Sequence, residues 1–133
     1  ADPGLGDMIS MPLFESVAAG TGVDANPDAV DTIRLPRDMV GHGNVFAVRV
    51  AGDSMVDASI FDGDCLVVRQ QDDAVNGDIV IALLGEEGVV KTFRRTENHI
   101  WLMPENSSYD PILGDGCQIR GKVVATLHRH RGG

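Results

Sequence analysis

The sequence lacks any apolar run that approaches the roughly 20 residues needed to cross a bilayer. It also lacks the basic and then apolar opening segment that directs secretion. Both absences lead us to expect a cytoplasmic protein. Almost no apolar pattern repeats with the 3.6-residue period of an amphipathic helix, which argues against a mainly helical fold.

Basic residues are scarce as well. Eleven Lys and Arg stand against twenty Asp and Glu, and the formal net charge is −9 at pH 7. A chain this acidic is a poor candidate for binding the phosphate backbone of a nucleic acid by itself. If the protein acts on DNA, we expect the basic element to lie in a domain absent from this chain or in a partner.

Cysteine and histidine are few and poorly spaced for metal binding. Cys65 and Cys117 lie far apart and each begins a strand-like run, which favours free thiols in a reducing compartment over the alternative of a disulfide. His128 and His130 lie in a polar tail, and the other two histidines lie beside Gly or Asn turns. This placement argues against a Ser-His-Asp triad. We predict no metal and no cofactor.

The sequence does contain many short apolar and β-branched runs separated by turn residues. Such a pattern, in 133 residues, predicts a single mostly β domain built as a compact, strongly bent set of sheets. The run from 79 to 84 (IVIALL) is expected to be a strand buried on both faces, and Gly121 a bulge in the last strand. The predicted strands are 30–35, 45–51, 65–70, 79–84, 89–95, 100–103 and 118–127.

One strand ends in a candidate nucleophile. The run VFAVRVA, residues 45–51, breaks off at Gly52-Asp53-Ser54-Met55, where a strand gives way to a turn. Ser54 is therefore either an ordinary turn residue or a nucleophile held by a rigid strand.

Lys91 is the candidate base, because apolar neighbours flank it in a predicted buried hairpin. Its ammonium either reaches the surface along its apolar stem or loses solvent. In the second case the pKa of Lys91 falls and a neutral amine becomes available near neutral pH. A neutral amine beside Ser54 would form a Ser-Lys dyad, which attacks an amide without histidine.

Six motifs in a fixed order resemble the LexA family, which comprises self-cleaving SOS repressors, UmuD mutagenesis proteins and cleavable phage repressors. The resemblance runs from about Pro12 to Leu127, nearly the whole chain. The motifs are Gly52-Asp53-Ser54-Met55, Asp62-Gly63-Asp64, Asn76-Gly77-Asp78, Val90-Lys91, Leu102-Met103-Pro104-Glu105-Asn106-Ser107 and Gly121-Lys122-Val123-Val124.

The resemblance implies a LexA/signal-peptidase-like β fold and a serine endopeptidase that cleaves its own chain. Ser54 would be the nucleophile and Lys91 the general base. Val17-Ala18-Ala19-Gly20 is similar to the family's Ala-Gly cleavage site, so the cut would fall between Ala19 and Gly20. The backbone N–H groups of Asp53 and Ser54 are the expected oxyanion donors. Implied partners are a second copy of the chain and the RecA nucleoprotein filament.

On this basis we divide the chain into a linker tail at residues 1–12, a cleavage-site segment at 13–29 and a peptidase and dimerisation domain at 30–133. LexA repressors also carry an N-terminal winged helix-turn-helix, and nothing here reads as one. We therefore expect a C-terminal fragment with a flexible N-terminal arm, which contacts an operator only through the missing domain. One residue departs from the family, since Val89 replaces a common threonine two positions before the lysine. We therefore expect a lower pKa for Lys91 and a less well oriented amine, because the hydroxyl that could hold it is missing.

Three alternatives stay open or are set aside. Pro12-Leu13-Phe14 resembles the UmuD-type proteins, which have only a short arm before the cut. A non-catalytic dimerisation module could keep the fold, with an unpaired edge of the strand at 118–127 pairing with its copy. A membrane-bound signal peptidase shares Ser-Lys chemistry but would need a transmembrane anchor.

Overall fold

The structure, a computed structural model, describes residues 7–15 and 29–128. In this part of the chain nine strands form one mixed sheet, with only two short helical turns, so the mostly β prediction is confirmed. The strands are β1 Met8–Phe14, β2 Asp31–Pro36, β3 Val45–Arg49, β4 Cys65–Gln70, β5 Ile79–Leu84, β6 Glu87–Arg95, β7 Ile100–Met103, β8 Ile112–Leu113 and β9 Gln118–Leu127, and the helical turns are α1 Arg37–Val40 and a 3-10 turn at Val56–Ala58.

The order of strands across the sheet is β2-β1-β3-β4-β9-β5-β6-β7-β8. All neighbouring strands pair antiparallel except β1 and β3, which run parallel through Leu13↔Ala47 and Phe14↔Val48. Because β9 lies between β4 and β5, the last strand joins the two halves of the sheet. The half that carries β3 holds Ser54, and the half that carries β6 holds Lys91.

The apolar core lies on both sides of the central strands. Along β5, Val80, Ile81, Ala82 and Leu83 are all buried, which confirms the prediction of a strand covered on both faces. Successive side chains of a strand point to opposite faces. Thus Ile81 and Leu83 join a cluster with Phe14 and Met55, while Val80 and Ala82 join one with Phe93.

Gly121 has the least room for a side chain among the glycines of the described residues. An added Cβ there would lie 2.4 Å from Val68 Cγ1 and 2.6 Å from the backbone oxygen of Arg69. The ladder to β5 skips Arg120, one residue earlier, and the ladder to β4 skips Val124. Bulges therefore flank the predicted position, and Gly121 itself is needed for close packing.

The predicted unpaired edge of β9 is only partly present. Its first half pairs with β5 as far as Lys122, and its second half pairs with β4 from Gly121 to Leu127. Among the described residues, Val123 to Leu127 therefore have a strand on one side only. The expected unpaired edge is therefore confined to this second part, because β9 lies between β4 and β5 as far as Lys122.

The expected irregular tail is also wrong over residues 8–12. These residues belong to β1, which pairs with β2 from Met8↔Pro36 to Leu13↔Asp31. The interior Pro12 hid this strand from the sequence analysis. Pro12 precedes the two residues that pair with β3, so its missing N–H removes nothing from that ladder. Residues 1–6 lie outside the described part, and the three-segment division stays a prediction.

Both cysteines are free thiols, Cys65 buried and Cys117 half-buried, which is the arrangement that we favoured. Burial raises the pKa of each thiol above its ordinary value of 9.0. No helix in the described residues is long and apolar enough to cross a membrane. The same residues contain no cluster of three or more His, Cys, Asp or Glu side chains that could hold a metal ion.

Candidate active site

Ser54 lies on a turn five residues after β3 ends at Arg49. Gly52 adopts φ +92°, a conformation that side chains rarely tolerate, and its N–H donates to Asp62 Oδ1 at 2.8 Å. Directly after Ser54, Met55 is 2% exposed and packs among the core side chains. The turn is thus pinned on both sides of Ser54, whose own side chain is only half-buried.

Lys91 reaches this turn from the hairpin formed by β5 and β6. Its Nζ lies 2.9 Å from Ser54 Oγ and 3.2 Å from the backbone oxygen of Val90. The residue pairs with Val80, which is fully buried. Of the two orientations that the sequence left open for this lysine, the structure therefore shows the one directed at Ser54.

Burial lowers the pKa of Lys91 below its ordinary value of 10.5, because the charged ammonium loses solvent. The carboxylate of Glu87 acts in the opposite direction and raises it. Glu87, Val89 and Lys91 alternate along β6 and so share one face. Val89 supplies no hydroxyl, and the second acceptor of the amine is the Val90 carbonyl.

A cleft of about 240 Å³ runs between the two banks of this site. One bank is the end of β3 and the turn that follows, and the other is the first half of β6. An exposed ion pair between Glu15 and Arg49, 3.1 Å long, lies on the first bank. Among the described residues β7 pairs with β6 only from Thr92 onward, so the cleft side of Gly88 to Lys91 has an open strand edge.

The two expected oxyanion donors are available. Within residues 7–15 and 29–128, neither the Asp53 N–H nor the Ser54 N–H donates to a protein acceptor. Both groups belong to the turn that carries Ser54 Oγ, and Ser54 lines the cleft. An anionic oxygen beside Ser54 would therefore find two adjacent backbone donors.

The segment 104–109 forms hydrogen bonds with the turn that carries Ser54, and the sequence analysis assigned no role to it. The Glu105 N–H donates to the Ser54 carbonyl at 2.8 Å, and the Asp57 N–H donates to the Glu105 carbonyl at 2.8 Å. Asn106 Nδ2 donates to the Asp53 carbonyl at 2.8 Å, and the Tyr109 hydroxyl donates to Asp53 Oδ1. The Pro-Glu-Asn sequence was visible as a motif, but only the fold shows what it touches.

The predicted cleavage site, Ala19-Gly20, lies outside the described residues, and only its anchors can be placed. The Val30 N–H donates to the Leu13 carbonyl at 2.8 Å, and Leu13 pairs with Asp31. Since β1 runs parallel to β3, it approaches the cleft from the same direction as the strand that leads to Ser54. Glu15, the last described residue before the gap, already lines the cleft.

The tail histidine within the described residues has a structural contact. His128 Nδ1 lies 2.6 Å from Asp64 Oδ1, and the ring packs on Phe61. Asp64 is 2% exposed and also accepts the Phe61 N–H. This pair lies at the junction of β4 and β9, where Cys65 pairs with Leu127. His130 lies outside the described residues.

Comparison with known proteins assigns the chain to a family. A profile described as Peptidase S24-like matches residues 12–124. The chain belongs to the S24-like peptidase family. That match covers both banks of the cleft, including Ser54 and Lys91, and it confirms the expected LexA-like architecture.

Individual members of the S24-like family are closely similar in sequence. The chain is 52% identical over 123 residues to a LexA repressor of Thermobifida fusca, covering 92% of this chain and 49% of that protein. It is 54% identical over 121 residues to a LexA repressor of an Arthrobacter species, covering 91% and 49%. The resemblance to LexA repressors is thereby confirmed. The chain spans about half the length of these curated relatives.

Proposed function

We propose that this chain is the self-cleaving part of an SOS-response repressor and cuts its own Ala19–Gly20 bond. Ser54 is the nucleophile and Lys91 the general base. The observation that carries the proposal is the 2.9 Å contact between Lys91 Nζ and Ser54 Oγ, made by an amine whose pKa burial lowers. A lysine with a lowered pKa beside a serine is typical of a functional site and is not expected at an ordinary turn.

The reaction follows from this placement. The neutral amine of Lys91 takes the hydroxyl proton of Ser54, whose oxygen attacks the carbonyl carbon of Ala19. The backbone N–H groups of Asp53 and Ser54 receive the oxyanion. Lys91 then returns the proton to the nitrogen of Gly20 as the amide C–N bond breaks. Water hydrolyses the ester left on Ser54.

The substrate bond belongs to the same chain, so the cleavage rate depends on how often the segment that contains Ala19 occupies the cleft. Ala19 lies four residues beyond Glu15, and an extended chain covers up to about 14 Å in four residues. Its small side chain suits a narrow cleft with an open strand edge on β6. Docking would also complete the burial of Lys91 and favour its neutral form.

In this proposal the RecA nucleoprotein filament stimulates cleavage by favouring the docked state and supplies no catalytic group. Operator DNA is bound through an N-terminal domain that this acidic chain does not contain, and the protein acts in the cytoplasm. The relatives named above are LexA repressors, which supports a repressor over a UmuD-type accessory protein with the same chemistry.

The repressor would act as a homodimer. The one-sided stretch of β9 from Val123 to Leu127 offers the edge through which two copies could pair across a two-fold axis. Sedimentation equilibrium between about 1 and 100 µM tests this, and a monomeric mass throughout would contradict it. A dimer without self-cleavage would instead support the non-catalytic module.

Self-cleavage is tested by incubating the chain over a range of pH and measuring intact mass. We expect two products, residues 1–19 and 20–133, formed faster as the pH rises and Lys91 loses its proton. Ser54→Ala and Lys91→Ala should each abolish cleavage. Adding RecA with single-stranded DNA and a nucleotide should accelerate the reaction at neutral pH in the wild-type chain alone.

Two variants serve as matched controls. Ser108→Ala removes an exposed serine from the segment behind the turn, and Lys122→Ala removes a half-buried lysine that pairs with Asp78 at 3.2 Å. Both should cleave at the wild-type rate. Cleavage between Ala19 and Gly20 that survives in Ser54→Ala or Lys91→Ala would refute the proposed dyad.

A further inference from the structure

Asn106 holds the peptide unit that carries one of the two oxyanion donors. Its Nδ2 donates to the Asp53 carbonyl at 2.8 Å, and its Oδ1 accepts the Ser108 N–H at 2.9 Å. The two bonds together fix which end of the amide is nitrogen, because a flipped side chain would place donor against donor. The orientation of Asn106 is therefore determined by its own surroundings.

The Asp53 carbonyl and the Ser54 N–H belong to the same planar trans peptide and point in opposite directions. Ser54 lines the cleft, whereas no residue of the segment 104–109 does. A bond that draws the carbonyl toward Asn106 thus turns the N–H toward the cleft. Donation to the carbonyl also polarises the peptide and makes its N–H a stronger donor.

Two neighbouring bonds stabilise the same geometry. The Glu105 N–H holds the Ser54 carbonyl at 2.8 Å, and Tyr109 donates its hydroxyl proton to the Asp53 side chain. The bond to Asp53 raises the pKa of Tyr109. Its hydroxyl therefore keeps its proton further into the alkaline range, where a lysine base is neutral.

We propose that Asn106 is a positioning residue for self-cleavage, which aims the Ser54 N–H at the developing oxyanion by holding the Asp53 carbonyl. The proposal rests on the proposed function, since it needs the reaction at Ser54. It differs from a base or nucleophile role, because the Asn106 amide bonds the Asp53 carbonyl and the Ser108 N–H, whereas Lys91 Nζ contacts Ser54 Oγ.

The test compares Asn106→Ala with Asn76→Ala. Asn76 makes the same kind of contact elsewhere, with Nδ2 donating to the Arg95 carbonyl at 3.3 Å and Oδ1 accepting the Arg95 N–H at 2.6 Å. Each variant loses one such clamp, so the cost to the fold is comparable. Thermal melting of both variants measures that cost.

The expected result is a change in the rate plateau at alkaline pH. Loss of a whole oxyanion donor costs about 10²–10³ in rate, so misdirection of one donor should lower the plateau about tenfold or more. The midpoint of the pH–rate profile should not move, because Lys91 keeps its surroundings. Asn76→Ala should leave both plateau and midpoint unchanged.

A second readout removes loop docking from the comparison. Diisopropyl fluorophosphate reacts with Ser54 through an anionic transition state and needs no docked segment. Its second-order rate should fall in Asn106→Ala by a factor similar to that for self-cleavage. A purely structural role would lower the melting temperature and leave this rate within about twofold of wild type.

Asn106→Asp covers the case in which the alanine variant does not fold. The aspartate keeps the acceptor for the Ser108 N–H and loses only the donor to Asp53. Its added charge can move the midpoint, but the plateau should still fall. A wild-type plateau in both Asn106 variants would overturn the inference alone, whereas a wild-type chain that never cleaves would overturn the proposed function itself.

Discussion

Glu87 restrains the proposed base, and neutralising it should speed cleavage below the alkaline plateau. Its carboxylate raises the pKa of Lys91 against the effect of burial. Both side chains lie on the cleft face of β6, four residues apart. Glu87→Gln removes the charge and keeps the shape, so the pKa of Lys91 should fall further and more of the amine should be neutral near pH 7.

The size of the effect follows from the spacing along the strand. Four residues at 3.3 Å each separate the two backbone positions by about 13 Å. Two unit charges at that distance interact by about 0.3 kcal/mol in bulk water and about 1.3 kcal/mol at the effective dielectric constant of 20 that suits a protein surface. The rate on the rising part of the pH profile should therefore increase about two- to ninefold at low salt, and less at physiological salt.

The assay is the pH–rate profile of self-cleavage at two salt concentrations. Glu87→Gln should shift the profile to lower pH and leave the plateau in place, since the neutral amine and the oxyanion site are unchanged. Glu86→Gln is the matched control, because it removes the same charge from the hairpin turn outside the cleft. An equal shift in both variants, or a lower rate in Glu87→Gln, would refute the reasoning.

Two further predictions concern stability. Lys91→Met should raise the melting temperature at pH 7 by less than about 5 °C, because it removes a charge that burial disfavours. Since the pKa of Lys91 is lowered on folding, this gain should shrink as the pH rises toward 10.5, where the unfolded chain also loses the proton. An increase in melting temperature that becomes larger as the pH rises would contradict a lowered pKa for Lys91. Gly121→Ala should cost about 1–3 kcal/mol or more in urea unfolding, because its Cβ would meet backbone at 2.6 Å, whereas a cost below about 0.5 kcal/mol would show that β9 can shift.

Local patterns in the sequence predicted most of the strands. The runs at 65–70, 79–84, 100–103 and 118–127 match β4, β5, β7 and β9 because their β-branched residues and flanking turns act over a few positions. β1 escaped because Pro12 interrupts it and its partners come from two distant segments. The pairing of β1 with β2 and β3 involves residues far away in the sequence, so its own seven residues show little strand pattern.

Two sets of contacts between distant residues could not be predicted from local sequence patterns. The gap of 37 residues between Ser54 and Lys91 is compatible with many arrangements, and only the resemblance to a family suggested that they meet. The fold joins them because β9 inserts between β4 and β5 and brings the two halves of the sheet together. The contacts of Asn106 and Tyr109 with Asp53 likewise span more than 50 residues.

The sequence by itself determined the strand content, the turn that carries Ser54, the acidity that argues against unaided DNA binding, and the family. These properties depend on residue types and short-range order. Only the tertiary structure decided that Lys91 loses solvent beside Ser54 and that Asn106 donates to the Asp53 carbonyl on the same turn. Desolvation and hydrogen-bond direction depend on atoms from separate strands, and no stretch of the chain contains them alone.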